Sequence, residues 1–364
     1  MNINEEQKDE NTLVRRGKAA FGTKPEVMQG YITPNTQFFV YSNGDSPEID
    51  ITTYRLRIEG DGVERPFELS YEELLQLPSH SVIAYVECAG NQRQLFEEVM
   101  GGKLESNSGG EMTPWMFGAM GNAVWVGVRL STLLDMAGVK SDVVDVNAIG
   151  LDIGESEGGV NRPMSINKAM DPDTIVAYFM NGEPLPLDNG FPLRLIVPGW
   201  IGSNWIKWLG SIHVSTEKIW THRNTQRYVL MGEEWSSEDY SPAIGGEITT
   251  QNIKSSVSLP WKAELKAGKQ LIRGIARSPH ATIAHVEWSV DEGQTWHIAR
   301  LVGPNIKYSW TRFEFEWDAP AGRQIIMTRA TDTVGNVQPH SHPFNQEGYL
   351  FNSVYPHPVF VSEE

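Results

Sequence analysis

Only one of the 364 residues is a cysteine. One thiol closes no internal disulfide and cannot supply a thiolate cage for zinc or an iron–sulfur cluster, so no such cross-link organises this fold. The chain is long enough for two domains with full cores. The cysteine, Cys88, follows the β-rich run Ser81-Val82-Ile83-Ala84-Tyr85-Val86-Glu87 and opens Cys88-Ala89-Gly90-Asn91-Gln92-Arg93. A lone cysteine is most often an apolar filler. This one stands at a strand end before small residues, where backbone can approach a ligand closely. Arg93 is expected to lower the thiol pKa and favour the thiolate, the form that ligates metals. These facts support a site without naming a metal.

Local patterns outline the elements. Alternation in Phe38-Phe39-Val40-Tyr41 and Tyr54-Arg55-Leu56-Arg57-Ile58-Glu59-Gly60 predicts strands. Ser70 caps a short amphipathic helix over residues 71–77, and a second helix over 130–137 is ended by Gly138. Glycine pairs bracket a loop over 101–110, and residues 191–197 form an apolar strand carrying Arg194. The polar stretch near 232–255 marks a boundary. Beyond it, alternating runs over 270–276, 285–290, 312–317 and 324–330 predict an all-β sandwich. The division expected is an irregular N-terminal arm over 1–30, a catalytic domain over 31–240 and the sandwich over 241–364.

Formal net charge is −16, with no basic patch of the kind a nucleic-acid binder shows. No apolar run approaches eighteen residues, which argues against a membrane span. The acidic start and the absence of a signal core after Arg15-Arg16 predict a cytoplasmic protein as written, periplasmic if a leader has been removed. A small anionic substrate would need local positive charge to focus it. Arg93, Arg194, Lys207, His222, Arg223 and Arg227 cluster near the informative segments, Arg194 and Lys207 each inside an apolar run.

The Cys88 hexapeptide resembles the Cys-Ala-Gly-Asn-Arg-Arg loop of the sulfite oxidase family of molybdenum enzymes, which includes assimilatory nitrate reductases. Ala169-Met170-Asp171-Pro172, Met180-Asn181-Gly182-Glu183-Pro184-Leu185-Pro186, Gly190-Phe191-Pro192-Leu193-Arg194, Ile206-Lys207-Trp208-Leu209-Gly210, Val290-Asp291-Glu292-Gly293-Gln294-Thr295-Trp296 and Gly335-Asn336-Val337-Gln338-Pro339 follow in the family's order. The resemblance implies an α+β molybdopterin-binding domain of sulfite oxidase type, followed by an all-β immunoglobulin-like dimerisation domain, and hence a homodimer. It implies Cys88 as the protein ligand to molybdenum. The cofactor cradle then maps onto Phe39, Val40, Tyr41, Ser42, Asn43, Asp152, Asn189, Arg194, Trp205, Ile206 and Lys207. Arg194 and Lys207 suit the cofactor phosphate, and Asp152 suits ring N–H donors, although by itself it reads as a turn residue before Gly154. Arg93, Tyr228 and, from the sandwich, Arg312 are the implied substrate contacts.

The implied activity is oxidation of sulfite, or a similar small sulfur oxyanion, to sulfate by oxo transfer at the cysteine-ligated centre. Electrons pass to an external acceptor such as a cytochrome or oxygen; no haem-attachment motif or iron–sulfur ligand set is present. Three sites depart from sulfite-oxidising relatives. Tyr41-Ser42-Asn43 replaces Arg-Asn-His, Asn189 replaces a histidine, and Gln92 replaces an arginine. Losing one charge-assisted bond costs about 1.5–3 kcal/mol, roughly tenfold to a hundredfold in affinity. A pocket with fewer arginines suits an alternative, molybdopterin-dependent reduction of a neutral S-oxide or N-oxide. A cofactor-free binding protein is the third reading.

Overall fold

The computed structural model describes residues 9–43, 46–106, 112–152, 158–235 and 237–363. The first eight residues of the acidic start, residues 107–110 of the glycine-bracketed loop, Gly154 and Ser236 lie outside them. The strand leading to Cys88, Ser79–Glu87, pairs antiparallel with Met120–Arg129, which pairs in turn with Ile175–Met180. A second sheet orders Phe67–Ser70, Arg55–Glu59, Leu209–Ser215, Asp145–Gly150 and Asn161–Ser165, with Arg55–Glu59 parallel to Leu209–Ser215. Between the sheets lies one apolar core that includes Trp125, Leu133, Val146, Leu195, Trp205 and Ile212. Both expected helices form. Ser70 and Glu73 close a reciprocal capping box on Tyr71–Leu75, and Leu130–Ala137 ends where Gly138 turns left-handed at φ 69°.

The C-terminal part is two packed antiparallel-rich sheets. Lys254–Val257, Gly268–Arg277, Thr311–Ala319 and Arg300–Val302 make the four-stranded one. Ala263–Lys266, His357–Ser362, Gly322–Asp332, Ile283–Ser289 and His297–Ile298 make the five-stranded one. Alternation decides which side chains enter this second core. Phe313, Phe315 and Trp317 point inward from one strand, and Trp288 stacks flat on Phe315 at 4.3 Å between ring centres. Each such buried side chain contributes about 1.5–3 kcal/mol.

The N-terminal arm is not irregular. Leu13–Gly17 and Ala20–Thr23 form a hairpin, and Ala20–Thr23 also pairs with Val40–Tyr41. Leu13, Phe21 and Val40 bury against one another. The polar composition concealed this because the third strand, which completes the apolar face, arrives from farther along the chain. Its consequence is local: the segment 39–43 is held in place by the arm.

Candidate functional site

Cys88 is the first residue past the end of its strand and is half-buried. Its N–H donates to the Ala119 carbonyl at 2.9 Å, and its own carbonyl accepts from Asn91 at 2.9 Å. Asn91 locks the turn from inside: its amide donates to Glu87 at 2.9 Å and accepts from the Ala119 N–H at 3.1 Å. The sandwich side holds it from outside. Gln251 donates to the Glu87 carbonyl at 2.7 Å, and the Leu350 N–H donates to the Ala89 carbonyl at 2.8 Å. Gly90 leaves room for the Arg93 guanidinium to fold back over it, since a Cβ there would stand 2.2 Å from the guanidinium and push it aside. Burial raises the Cys88 thiol pKa, and the Arg93 charge opposes that without reversing it. The expectation of a lowered thiol pKa therefore does not hold.

A cavity opens beside Cys88. Phe39, Val40, Tyr41, Ser42, Asn43, Asp152, Asn189, Arg194, Trp205, Ile206, Lys207 and Tyr228 all line it. Five separate stretches of the chain converge there. Arg194 starts the strand Arg194–Ile196, donates to the Asn189 carbonyl at 3.2 Å and lies over the Trp125 ring. Burial alone pushes its pKa down to about 9, since no countercharge faces it among the described residues. Its Nε has no hydrogen-bond partner among those residues, nor do Asn189 Oδ1 and Ser203 Oγ. Lys207 reaches Ser42 Oγ and donates to the Asp188 carbonyl at 3.0 Å. Asp152 accepts from the Val160 N–H at 3.0 Å. With its amide oxygen turned toward Arg223, Asn43 accepts from both guanidinium nitrogens at 2.8 and 3.0 Å.

A smaller chamber shares Tyr41, Cys88 and Tyr228 with that cavity and adds Arg93, Trp115, Arg227, Glu347 and Tyr349. Arg93 lies over the Tyr349 ring at 5.4 Å, with its Nε unpartnered among the described residues. Tyr228 stacks on Tyr349 at 5.5 Å and takes Arg162 over its other side at 5.0 Å. Burial, reinforced by Tyr228 and Cys88, pushes the Tyr41 hydroxyl up to about 12, so it stays protonated. Burial works against the charge on Arg227, but the oxygens of Tyr228, Tyr349 and Tyr41 and the Glu347 carboxylate more than offset it. The arrangement can hold a small oxyanion next to the sulfur.

Arg312 is not part of this site. It donates to the Gln29 carbonyl at 3.1 Å and lines a separate groove with Arg273 and Glu314. The reason is parity: Phe313 and Phe315 face the sandwich core, so Arg312 faces away from it on the opposite side of the strand. The sandwich contributes Glu347 and Tyr349 instead. Gln92 is also turned away, donating to the Tyr355 hydroxyl at 3.4 Å. Arg223 and Arg227 were visible as basic residues near the motifs; Glu347 sits in the polar turn Asn345-Gln346-Glu347-Gly348, which carries no local signal of a site.

Comparison with known proteins agrees with this geometry. The oxidoreductase molybdopterin binding domain family matches residues 43–223, and the Mo-co oxidoreductase dimerisation domain family matches residues 247–362. Mitochondrial sulfite oxidase of Macaca fascicularis is 32% identical over 356 residues, covering 93% of this chain; the chain spans 63% of that protein's length. Sulfite oxidase of Gallus gallus is 32% identical over 331 residues, covering 86% of this chain and 70% of that protein. Among solved structures, the sulfane dehydrogenase SoxCD from Paracoccus pantotrophus superposes with a TM-score of 0.79 at 27% identity, covering 97% of this chain and 89% of that one. With both domain families matched in order around the Cys88 cavity, the chain belongs to the sulfite oxidase family of molybdopterin oxidoreductases.

Proposed function

We propose that this protein holds a molybdenum–molybdopterin cofactor with Cys88 as the protein ligand to the metal. On this reading it oxidises sulfite or a similar small sulfur oxyanion to sulfate and passes the electrons to an external acceptor. The observation that carries the proposal is the convergence of the whole cradle set on one cavity with Cys88. The fit is chemical as well as spatial. A buried guanidinium without a countercharge and several orphaned polar atoms suit a large, polar, anionic group.

The bound cofactor would supply two-electron redox chemistry beside Cys88. The chain's own residues would do the rest. Arg194, Lys207 and Arg223 would answer the phosphate charge, and Asp152 and Asn189 would meet ring donors. Arg93 and Arg227 would bind and orient the oxyanion, and the Tyr41 and Tyr228 hydroxyls would offer donors to it. Trp115 and Tyr349 would wall the chamber against bulk water. Sulfite and one water would give sulfate, two protons and two electrons. The relatives named above are sulfite oxidases and a sulfane dehydrogenase, so a reduced sulfur atom is the shared substrate element. The matched dimerisation domain supports a homodimer.

The test is expression in a molybdopterin-producing host, with molybdenum and pterin measured per chain beside a sulfite assay. Near-stoichiometric metal with fast sulfite turnover is expected, and Cys88→Ser should abolish turnover while leaving the fold intact. Retained turnover would remove Cys88 as the ligand, and metal-free protein would favour a binding role. Tyr41, where sulfite-oxidising relatives carry arginine, supports one alternative, reduction of a neutral S-oxide or N-oxide. Faster turnover of sulfoxides with a reduced dye than of sulfite with an acceptor would establish it.

A further inference from the structure

Among the described residues, the charged ones lining the smaller chamber are Arg93, Arg227 and Glu347. Two guanidinium groups against one carboxylate leave a single formal positive charge. Glu347 is no loosely placed surface acid, being only 6% exposed. The turn that carries it is fastened at both ends. Asn345 accepts from the Tyr349 N–H and donates to the Tyr349 carbonyl, each at 2.8 Å, and the Leu350 N–H binds Ala89 in the Cys88 turn. Gly348, at φ 63°, brings this backbone so close to Arg93 that a Cβ would stand 2.8 Å from the arginine's own. The carboxylate is thus built into the wall of the chamber that Cys88 also lines.

A carboxylate at this place has a selective consequence. An anion entering beside Cys88 is drawn by two arginines and opposed by Glu347, both in proportion to its charge, whereas the cost of stripping its water grows with the square of that charge. A chamber left with one net positive charge therefore answers a monoanion better than a dianion. We infer that Glu347 is a specificity-determining residue that sets the chamber for singly charged oxyanions and against doubly charged ones. This rests on reading the chamber as the substrate site. Within that reading, hydrogen sulfite or an organic sulfinate fits the chamber better than the sulfite dianion. Sulfate, doubly charged, would be released readily after it forms.

The experiment uses two redox-inert probes of similar tetrahedral shape, methanesulfonate with one charge and sulfate with two. Calorimetric titration of the isolated protein at neutral pH should show tighter binding of methanesulfonate. In Glu347→Gln, sulfate affinity should rise about tenfold and methanesulfonate affinity only about threefold, since the loss of one nearby like charge counts twice for a dianion; Glu347→Asp should keep the wild-type order. Tighter sulfate binding by the wild type overturns the inference. So does an unchanged preference in folded Glu347→Gln, or saturable binding of neither anion. The wild-type order decides the matter even if the variant fails to fold. Because neither probe turns over, failure here is separate from failure of the redox function, which metal content and sulfite turnover report.

Discussion

Two clusters of arginine and carboxylate lie on opposite sides of Cys88. On the strand side, Glu87 is fully buried and receives Arg277 through Nε and Nη2, each at 2.7 Å, together with Lys254 and Asn91 at 2.9 Å. On the pocket side, Arg93, Arg227 and Glu347 line one chamber, and Arg93 Nε has no partner among the described residues. The first cluster is closed in charge, since Arg277 and Lys254 pair with Glu87, although Arg277 Nη1 has no hydrogen-bond partner among the described residues. Burial would raise the Glu87 pKa, but Arg277 and Lys254 outweigh it and hold the carboxyl at about 2. The second is open, with donor capacity left for a ligand. The same residue types therefore do different work according to whether their charges are paired directly within the protein. Because Arg277 and Lys254 belong to the sandwich, the C-terminal part also anchors the strand that presents Cys88.

Breaking the closed cluster should have the largest effect on stability. Arg277→Ala leaves a buried carboxylate short of its main partner, and chemical denaturation should show a loss of about 3–5 kcal/mol. A loss below 1 kcal/mol would mean that water reaches Glu87. A second effect comes from His357, buried beside Trp261 and Tyr355 and hydrogen-bonded to the Pro260 carbonyl at 2.9 Å. Burial lowers its pKa to about 4, below the ordinary 6.5. The unfolded chain therefore binds this proton first as pH falls. Its contribution is present above pH 6.5 and is lost between about 6.5 and about 4, up to about 3 kcal/mol. Thermal unfolding across that range should show the loss, and His357→Phe should remove this part of the pH dependence.

The open cluster should respond in the opposite way. Arg93→Gln should leave stability within about 1 kcal/mol, since Arg93 makes few bonds to lose, yet lower oxyanion affinity roughly tenfold or more. Calorimetric anion titration beside denaturation separates the two. A large stability loss with unchanged affinity would place Arg93 in the closed class. Gly90→Ala sharpens the point with the smallest change. The added methyl displaces the Arg93 guanidinium, so anion affinity should fall several-fold with little loss of stability.

Much of this molecule is legible along the chain because the signals are local. The capping box at Ser70 and Glu73, the left-handed stop at Gly138 and the alternation of Phe313, Phe315 and Trp317 each lie within a few residues. The residues that the ordered motifs pointed to as a cofactor cradle line one cavity. What failed depended on contacts made across long distances in sequence. The arm gained a strand because Val40–Tyr41 pairs with it. Arg312 fell outside the site because strand parity turned it away from the core toward Gln29. The sequence by itself determined the cysteine at a strand end, the two successive cores and the residue types available for an anionic ligand. Only the tertiary structure decided that Arg277 and Lys254 close on Glu87, and that Glu347 and Tyr349 reach the chamber beside Cys88. Hydrogen-bond and charge satisfaction are properties of neighbours in space, and those neighbours are set by packing between segments that no local pattern connects.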